Sequence, residues 1–475
     1  MTKWPRVSVG VVALSVLSLA CAGSAGRHNP GGNTGGDDGE NTGGSSSTGG
    51  KSGGTGGKAS GTGGSTGGST GSTGGSTGST GGSTGSTGGS GPPPTGHLFG
   101  AHSGTYPMGS IRPTGSQDSL DAAVKAAYDK WKTAYVTSGC GGTVVKSTGE
   151  PNQVTSAPAL GLGMIITAMM AGADADAQKL FDGMFAVGRK YPSYLNHAGL
   201  LCYAVVGSGA TCMNAKECDS TTDGDLDFGF ALTLAAAQWG NGGAVKYGDE
   251  AGKTIPQIKM FDFSALKLPV LGDWATLAGE PPLWKTTTKP PYFMLGHFRV
   301  FGKQTNDTFW MEVTEAVQGS IASKANATTG LLPVILKSGT MLPGPDEKVI
   351  SDTSAGSYFG DAGAIPLRLA ADLIAGNDMR TRMLLAKITA WIKMATGGDP
   401  SKIVDGYRLD GTAFGPKGTP AFVGPFGAAA VFDSANQAWV DATWKLLVDA
   451  PAADQNTDGI RLLSMLVMSG NWWNP

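Results

Sequence analysis

Three aspartates at alternate positions, Asp223, Asp225 and Asp227, open the run TTDGDLDFGFALTLAAAQWG that starts at residue 221. Carboxylates crowded in this way can ligate a hard cation, grip sugar hydroxyls, move protons, or cap a helix. Their spacing matches the first three ligand positions of a calcium-binding loop. That reading fails, because Phe228 stands where the loop needs glycine and Leu234 where it needs a bidentate acid. A second candidate, Asp454, Asn456, Asp458 and Gly459, has the glycine but offers Met465 in place of the acid, and reads as a helix-capping turn. Capping by Thr222 or Asp223 accounts for one acid at the start of an apolar helix, not for two or three. The surplus points to a site that handles a ligand. Zinc is not expected either: Cys140, Cys202, Cys212 and Cys218 lack paired CxxC spacing, and the five histidines are scattered. No GxSxG elbow for a serine nucleophile occurs.

The elements that must position these acids are helices. Leu120, Val124, Tyr128, Trp131 and Tyr135 recur at spacings of four, four, three and four, one face of a helix over about 118–136. Similar patterns predict helices near 160–171, 176–190, 226–239, 306–323, 362–376, 380–396, 436–448 and 458–468. Several, such as GLGMIITAMM and RLLSMLVMSG, are apolar nearly all round. Such helices must be buried on every side, which requires an inner layer covered by an outer amphipathic one. The expected fold is therefore all-α, a double-layered helical barrel, with GTVVK and KVIS as short hairpin strands over one mouth.

Around this domain the composition is uneven. Residues 1–21 carry Lys3 and Arg6 before an apolar run too short to span a bilayer, the pattern of an export signal. Cys21 after Ala20 adds the expectation of a lipoprotein, secreted or held at the cell surface by its acyl chains. Residues 22–97 are almost wholly Gly, Ser and Thr, cannot bury a core, and form a tether whose ends lie on the order of 50 Å apart. The folded domain is expected over 98–475, as a monomer. A formal net charge of −2 offers no basic patch for nucleic acid and leaves neutral glycans as fitting partners. In an exported chain the four later cysteines make disulfides, with Cys212–Cys218 the favoured of three pairings.

The run at 221 resembles the most diagnostic segment of the family 8 glycoside hydrolases. Further segments follow in the family's order: YDKWKTAYVTSGCGG at 128–142, KPPYFMLGHFRVFGKQTNDTFW at 289–310, NATTGLLP at 326–333, YFGDAGAIPLRLAAD at 358–372, IVDGYRLDG at 403–411 and the closing RLLSMLVMSGNWWNP. The resemblance covers about Tyr106 to Pro475. It implies an (α/α)6 barrel and inverting endo-hydrolysis of a β-1,4-linked glucan-type polysaccharide, with no cofactor and no metal. Inversion needs one carboxylic acid for the leaving oxygen and one carboxylate, roughly 6.5–9.5 Å away, to activate water. By the family pattern the base falls on Asp361, whose plain alternative is a cap for the helix that follows. Asp223 takes the place of the aspartate that holds the sugar, and Tyr358 and Arg368 line or brace the same cleft.

The acid is where this chain departs from the pattern. Pro158, in APALGLGM, stands in place of the glutamate and cannot donate a proton. Leu162 replaces a tyrosine, Val334 an aspartate and Ala364 an arginine. Glu150, in the loop STGEPNQ, is the nearest substitute in sequence, followed by Glu217 and Asp219. The alternative function is a catalytically impaired surface polysaccharide-binding protein, with Trp131, Trp239 and Tyr292 as sugar platforms, although aromatics at helical spacing are more often core residues.

Overall fold

The computed structural model describes residues 96–195, 199–208, 211–216, 218–280, 284–337 and 355–475. The expected export signal, Cys21, nearly all of the tether, the KVIS strand and Glu217 lie outside the described residues.

Twelve α-helices alternate between two layers among the described residues. The inner ring is α2 (Ala157–Met169), α4 (Thr222–Trp239), α6 (Leu295–Thr305), α8 (Ile365–Gly376), α10 (Pro420–Ala430) and α12 (Gln455–Ser469), each packed on the next and α12 closing on α2. The outer layer is α1 (Gln117–Tyr135), α3 (Ala177–Lys190), α5 (Tyr247–Phe261), α7 (Phe309–Lys324), α9 (Met379–Ala395) and α11 (Gln437–Asp449), each covering an inner neighbour. This is the double-layered barrel that the all-round apolar segments demand. Every residue of α2 but Pro158 is buried, whereas α1 buries only Leu120, Val124, Tyr128 and Trp131.

Because each inner helix is followed by an outer one that returns the chain, the inner helices run parallel. All their N-termini meet at one mouth, where helix dipoles favour negative charge. Close approach of α2 and α4 depends on two glycines. A Cβ at Gly161 would lie 2.7 Å from Cβ of Asp227, and one at Gly224 would lie 2.6 Å from Cβ of Ala157.

Three helices escape the periodicity argument. Helices α5 and α10 contain Pro256 and Pro425, which read as breakers, and α6 is an 11-residue helix that starts straight after a proline-rich turn. The short strands form small antiparallel sheets: β1 (Val136–Gly139) with β2 (Gly142–Val145), the GTVVK segment; β3 (Gln153–Ser156), β4 (Ala204–Ser208) and β5 (Thr211–Asn214); β6 (Thr287–Thr288) with β7 (Leu336–Lys337); and β8 (Tyr358–Phe359) with β9 (Gly406–Tyr407).

The disulfides correct the expected pairing. Cys140 bonds Cys212, and Cys202 bonds Cys218. In the β4–β5 hairpin Cys212 pairs with Gly207 near the tip, while Cys218 lies back at the base, where its Sγ meets the amide of Ala204. The hairpin thus separates the two cysteines that are closest in sequence.

Candidate active site

Helix periodicity sorts the three aspartates onto two faces. Asp223 and Asp227, four residues apart, turn toward the barrel interior, and Asp225 faces the outer layer. Asp227 is buried and accepts a bidentate pair from Arg368 on α8, at 2.7 and 2.6 Å. His297 Nε2 on α6 lies 2.9 Å from the same carboxylate, and its ring stacks on Phe230 at 3.9 Å. Burial pushes the Asp227 carboxyl up, but Arg368 and His297 outweigh it and hold the group below the usual carboxylate range. Burial holds the His297 imidazole below its ordinary value against the pull of Asp227. This network ties α4, α6 and α8 together beneath the mouth.

Asp223 sits one turn above it, half-buried, and its Oδ1 finds no hydrogen-bond partner among the described residues. Burial raises its carboxyl, Lys289 opposes that, and Asp361 and Asp227 add to it. Asp223 and Asp361 therefore share one electrostatic neighbourhood. Asp361 stands on the 3-10 turn Gly360–Ala364, between β8 and α8, and Gly360 takes φ +53 to make the turn. Its Oδ2 lies 2.5 Å from Nζ of Lys289; the lysine side chain is 3 % exposed and the aspartate 40 %. The Asp361 side chain is thus open to solvent, while Ala362 and Gly363 after it are buried.

Of the two roles expected for Tyr358 and Arg368, lining or bracing the cleft, their contacts are those of braces. Tyr358 is buried, packs against Phe422, Phe426 and Tyr407, and donates its hydroxyl to the carbonyl of Gly363 at 3.2 Å. It braces the Asp361 turn, because β8 pairing points its ring into the core. Arg368 is spent on Asp227. The proposed platforms Trp131, Trp239 and Tyr292 are also core residues, each under a tenth exposed.

On the opposite wall, Pro158 occupies the first turn of α2, half-buried, after the cap Ser156. Leu162 is buried against Gly459, Val334 is buried, and Ala364 is half-buried. The loop carrying Glu150 does fold back toward α2: Gln153 Nε2 donates to the Ser147 hydroxyl at 2.7 Å, and that hydroxyl lies 3.1 Å from the one on Ser156. Glu150 Oε1 accepts the Tyr203 hydroxyl at 3.0 Å, and the Tyr203 carbonyl accepts the Ala157 amide. A carboxylate thus stands near Pro158, tied to a tyrosine. The Tyr203 amide donates to the carbonyl of Asp219, which places that acid on the same wall.

Asp225 belongs to a different cluster. Its Oδ1 accepts the Leu201 amide at 2.8 Å, and with Asp262 and Asp273 it is fully buried between α4 and the loops after α5. Both oxygens of Asp262 lack a hydrogen-bond partner among the described residues, and burial, then Asp225 and Asp273, pushes its carboxyl far up. Asp454 caps α12 through the Thr457 amide at 3.0 Å, as a capping turn should. Among the described residues no group of three or more His, Cys, Asp or Glu is placed to hold a metal ion. The sequence reading missed Lys289 and His297; their one signal was their position inside the KPPYFMLGH segment.

Comparison with known proteins agrees with this arrangement. Residues 102–340 match the model described as Glycosyl hydrolases family 8. A Beta-glucanase of Niallia circulans is 36 % identical over 377 residues, covering 78 % of this chain and 90 % of its own. An Endoglucanase of Bacillus sp. (strain KSM-330) is 35 % identical, covering 76 % and 78 %. The apo structure of a Beta-1,3-1,4-glucanase from Paenibacillus sp. X4 superposes with a TM-score of 0.74 at 34 % identity, over 80 % of this chain and 99 % of that one. With likeness of that extent over most of both chains, the chain belongs to family 8 of the glycosyl hydrolases.

Proposed function

We propose that the protein binds a β-glucan-type polysaccharide across the N-terminal mouth of the barrel and hydrolyses it internally, by inversion and slowly. The observation that carries this reading is the juxtaposition of Asp223 and Asp361 around Lys289. Asp361 takes a proton from water as the water oxygen bonds to the anomeric carbon. Asp223, half-buried beside it, accepts sugar hydroxyls. As that bond forms the bond to the leaving oxygen breaks, and because Pro158 cannot give that oxygen its proton, the proton comes from solvent water. Loss of general acid catalysis costs on the order of 10²–10⁴ in rate.

The test separates base from acid. A β-cellotriosyl fluoride has a leaving group that departs without a proton, so its hydrolysis needs only the base. Fluoride release should be robust and should collapse in Asp361→Asn, while reducing-end release from soluble β-glucan stays low. Equal fluoride release from both proteins would remove Asp361 as the base. Pro158 also favours a second reading, a binding protein on the same frame; affinity electrophoresis in β-glucan gels reports retardation whether or not hydrolysis occurs. We further infer an exported lipoprotein anchored through Cys21, working as a monomer at the end of its tether. Labelling with a radioactive fatty acid, lost in Cys21→Ser, tests the anchor.

A further inference from the structure

Lys289 is the cation that this mouth was not expected to hold. Its backbone is fixed from both sides: Thr287 and Thr288 pair with β7, and Pro290 and Pro291 lock the following 3-10 turn. That turn packs against α4, α8 and the turn of Asp361 itself. The ammonium lies 5.0 Å from the centroid of the Tyr292 ring, and the side chain is 3 % exposed. A buried ammonium is costly unless paired, and here it is paired with a carboxylate that is 40 % exposed. The buried partner in this pair is therefore the lysine and the accessible one the base. Without it the exposed Asp361 side chain would lose the contact that fixes its rotamer, and the repulsion between Asp361 and Asp223 would go unopposed by Lys289.

We propose that Lys289 is a positioning residue for the base: its buried ammonium holds Asp361 by Oδ2, leaving Oδ1 to take the water proton, and stands between Asp361 and Asp223 so that two carboxylates serve one sugar subsite. The inference rests on Asp361 being the base. Lys289 is not the missing acid, because it is bonded to the base, whereas in inversion the leaving oxygen is protonated from the opposite face. The charged and titratable groups around the pair are Asp223 and Asp227 on α4, His297 on α6, Arg368 on α8 and Tyr292 beneath the lysine. Arg368 and His297 are engaged by Asp227, so Lys289 is the cation in direct contact with Asp361.

The experiment uses the full chain and β-cellotriosyl fluoride, so that the acid plays no part. Lys289→Met should lower kcat about tenfold to a hundredfold, with KM changed much less. Lys289→Arg, which keeps the charge, should recover most of the rate. Circular dichroism confirms folding, and Lys289→Gln serves in the same way should the methionine variant not fold. An uncharged variant that keeps its rate, beside an inactive Asp361→Asn, would overturn the positioning role and leave the base in place. A variant that raises KM alone would also overturn it, as a merely structural lysine. Should Asp361→Asn release fluoride as fast as wild type, the function itself fails first.

Discussion

Pro158→Glu should convert this protein from a slow hydrolase into a fast one. The substitution restores a carboxylic acid at the position where the family carries one, and the structure indicates that the backbone will tolerate it. Pro158 lies in the first turn of α2, where its missing N–H is one of the helix's unpaired donors in any case. Its ring nitrogen would lie 3.0 Å from a Cβ at Gly224, a backbone contact that glutamate leaves unchanged. Losing the proline's rigidity costs about 0.4–1 kcal/mol, and an acid in the first turn returns about 0.3–1 kcal/mol, so stability should stay level. The chemical gain is about 10²–10⁴ in kcat, or about 3–5 kcal/mol at 1.36 kcal/mol per decade. Reducing-end release from soluble β-glucan measures it, with Asp361→Asn in both backgrounds. Fluoride release from the cellotriosyl fluoride is the control and should not change. A polymer rate unmoved by the glutamate, or a fluoride rate that rises in step with it, would refute the assignment of the acid position.

Glu150→Gln should lower polymer hydrolysis less than about tenfold, since Tyr203 already holds that carboxylate; a drop of 10² or more, with fluoride release intact, would make Glu150 the surrogate acid. Arg368→Met leaves Asp227 buried with His297 alone and should cost about 3–5 kcal/mol in urea unfolding. Asp262 has a folded-state pKa raised above its unfolded value of about 3.9, so the cost of keeping it protonated in the fold is absent below that pH and grows as pH rises. The gap in thermal midpoint between Asp262→Asn and wild type should thus be constant below about pH 4 and move in the variant's favour toward pH 8; parallel curves would contradict this. Replacing Cys140 and Cys212 by serine should cost about 1.3 kcal/mol more than replacing Cys202 and Cys218, because the sequence separations are 72 and 16.

The barrel was legible because burial on all sides leaves no alternative for segments such as GLGMIITAMM, and because amphipathic segments alternate with them. Helices α5, α6 and α10 were not, since proline inside a helix is tolerated only where neighbours on every side hold it, and sequence cannot show the neighbours. At the site, Asp223 and Asp361 follow from the family pattern, and their common mouth follows from parallel inner helices. Whether Tyr358 and Arg368 line the cleft or brace it was open, because residue type and order say nothing about direction. One points into the core by strand pairing, and the other is taken by an aspartate four residues beyond Asp223. Lys289 stayed hidden because a single lysine before two prolines reads as a surface turn.

On the proposed reading, in which Pro158 stands in the acid's place, the loss of the acid and the persistence of the frame have one physical explanation. The contacts that hold the mouth together are the Asp227–Arg368–His297 network, the Tyr358 brace and the Lys289–Asp361 pair, and all of them lie on α4, α6, α8 and their preceding turns. The acid's position lies on α2, a helix held to its neighbour by glycine contacts and apolar burial rather than by charge. A glutamate there supports no other residue, so its replacement by proline removes a proton and little else. The chain can lose that group at almost no cost in stability, and the same independence is why a single glutamate should be enough to restore the rate.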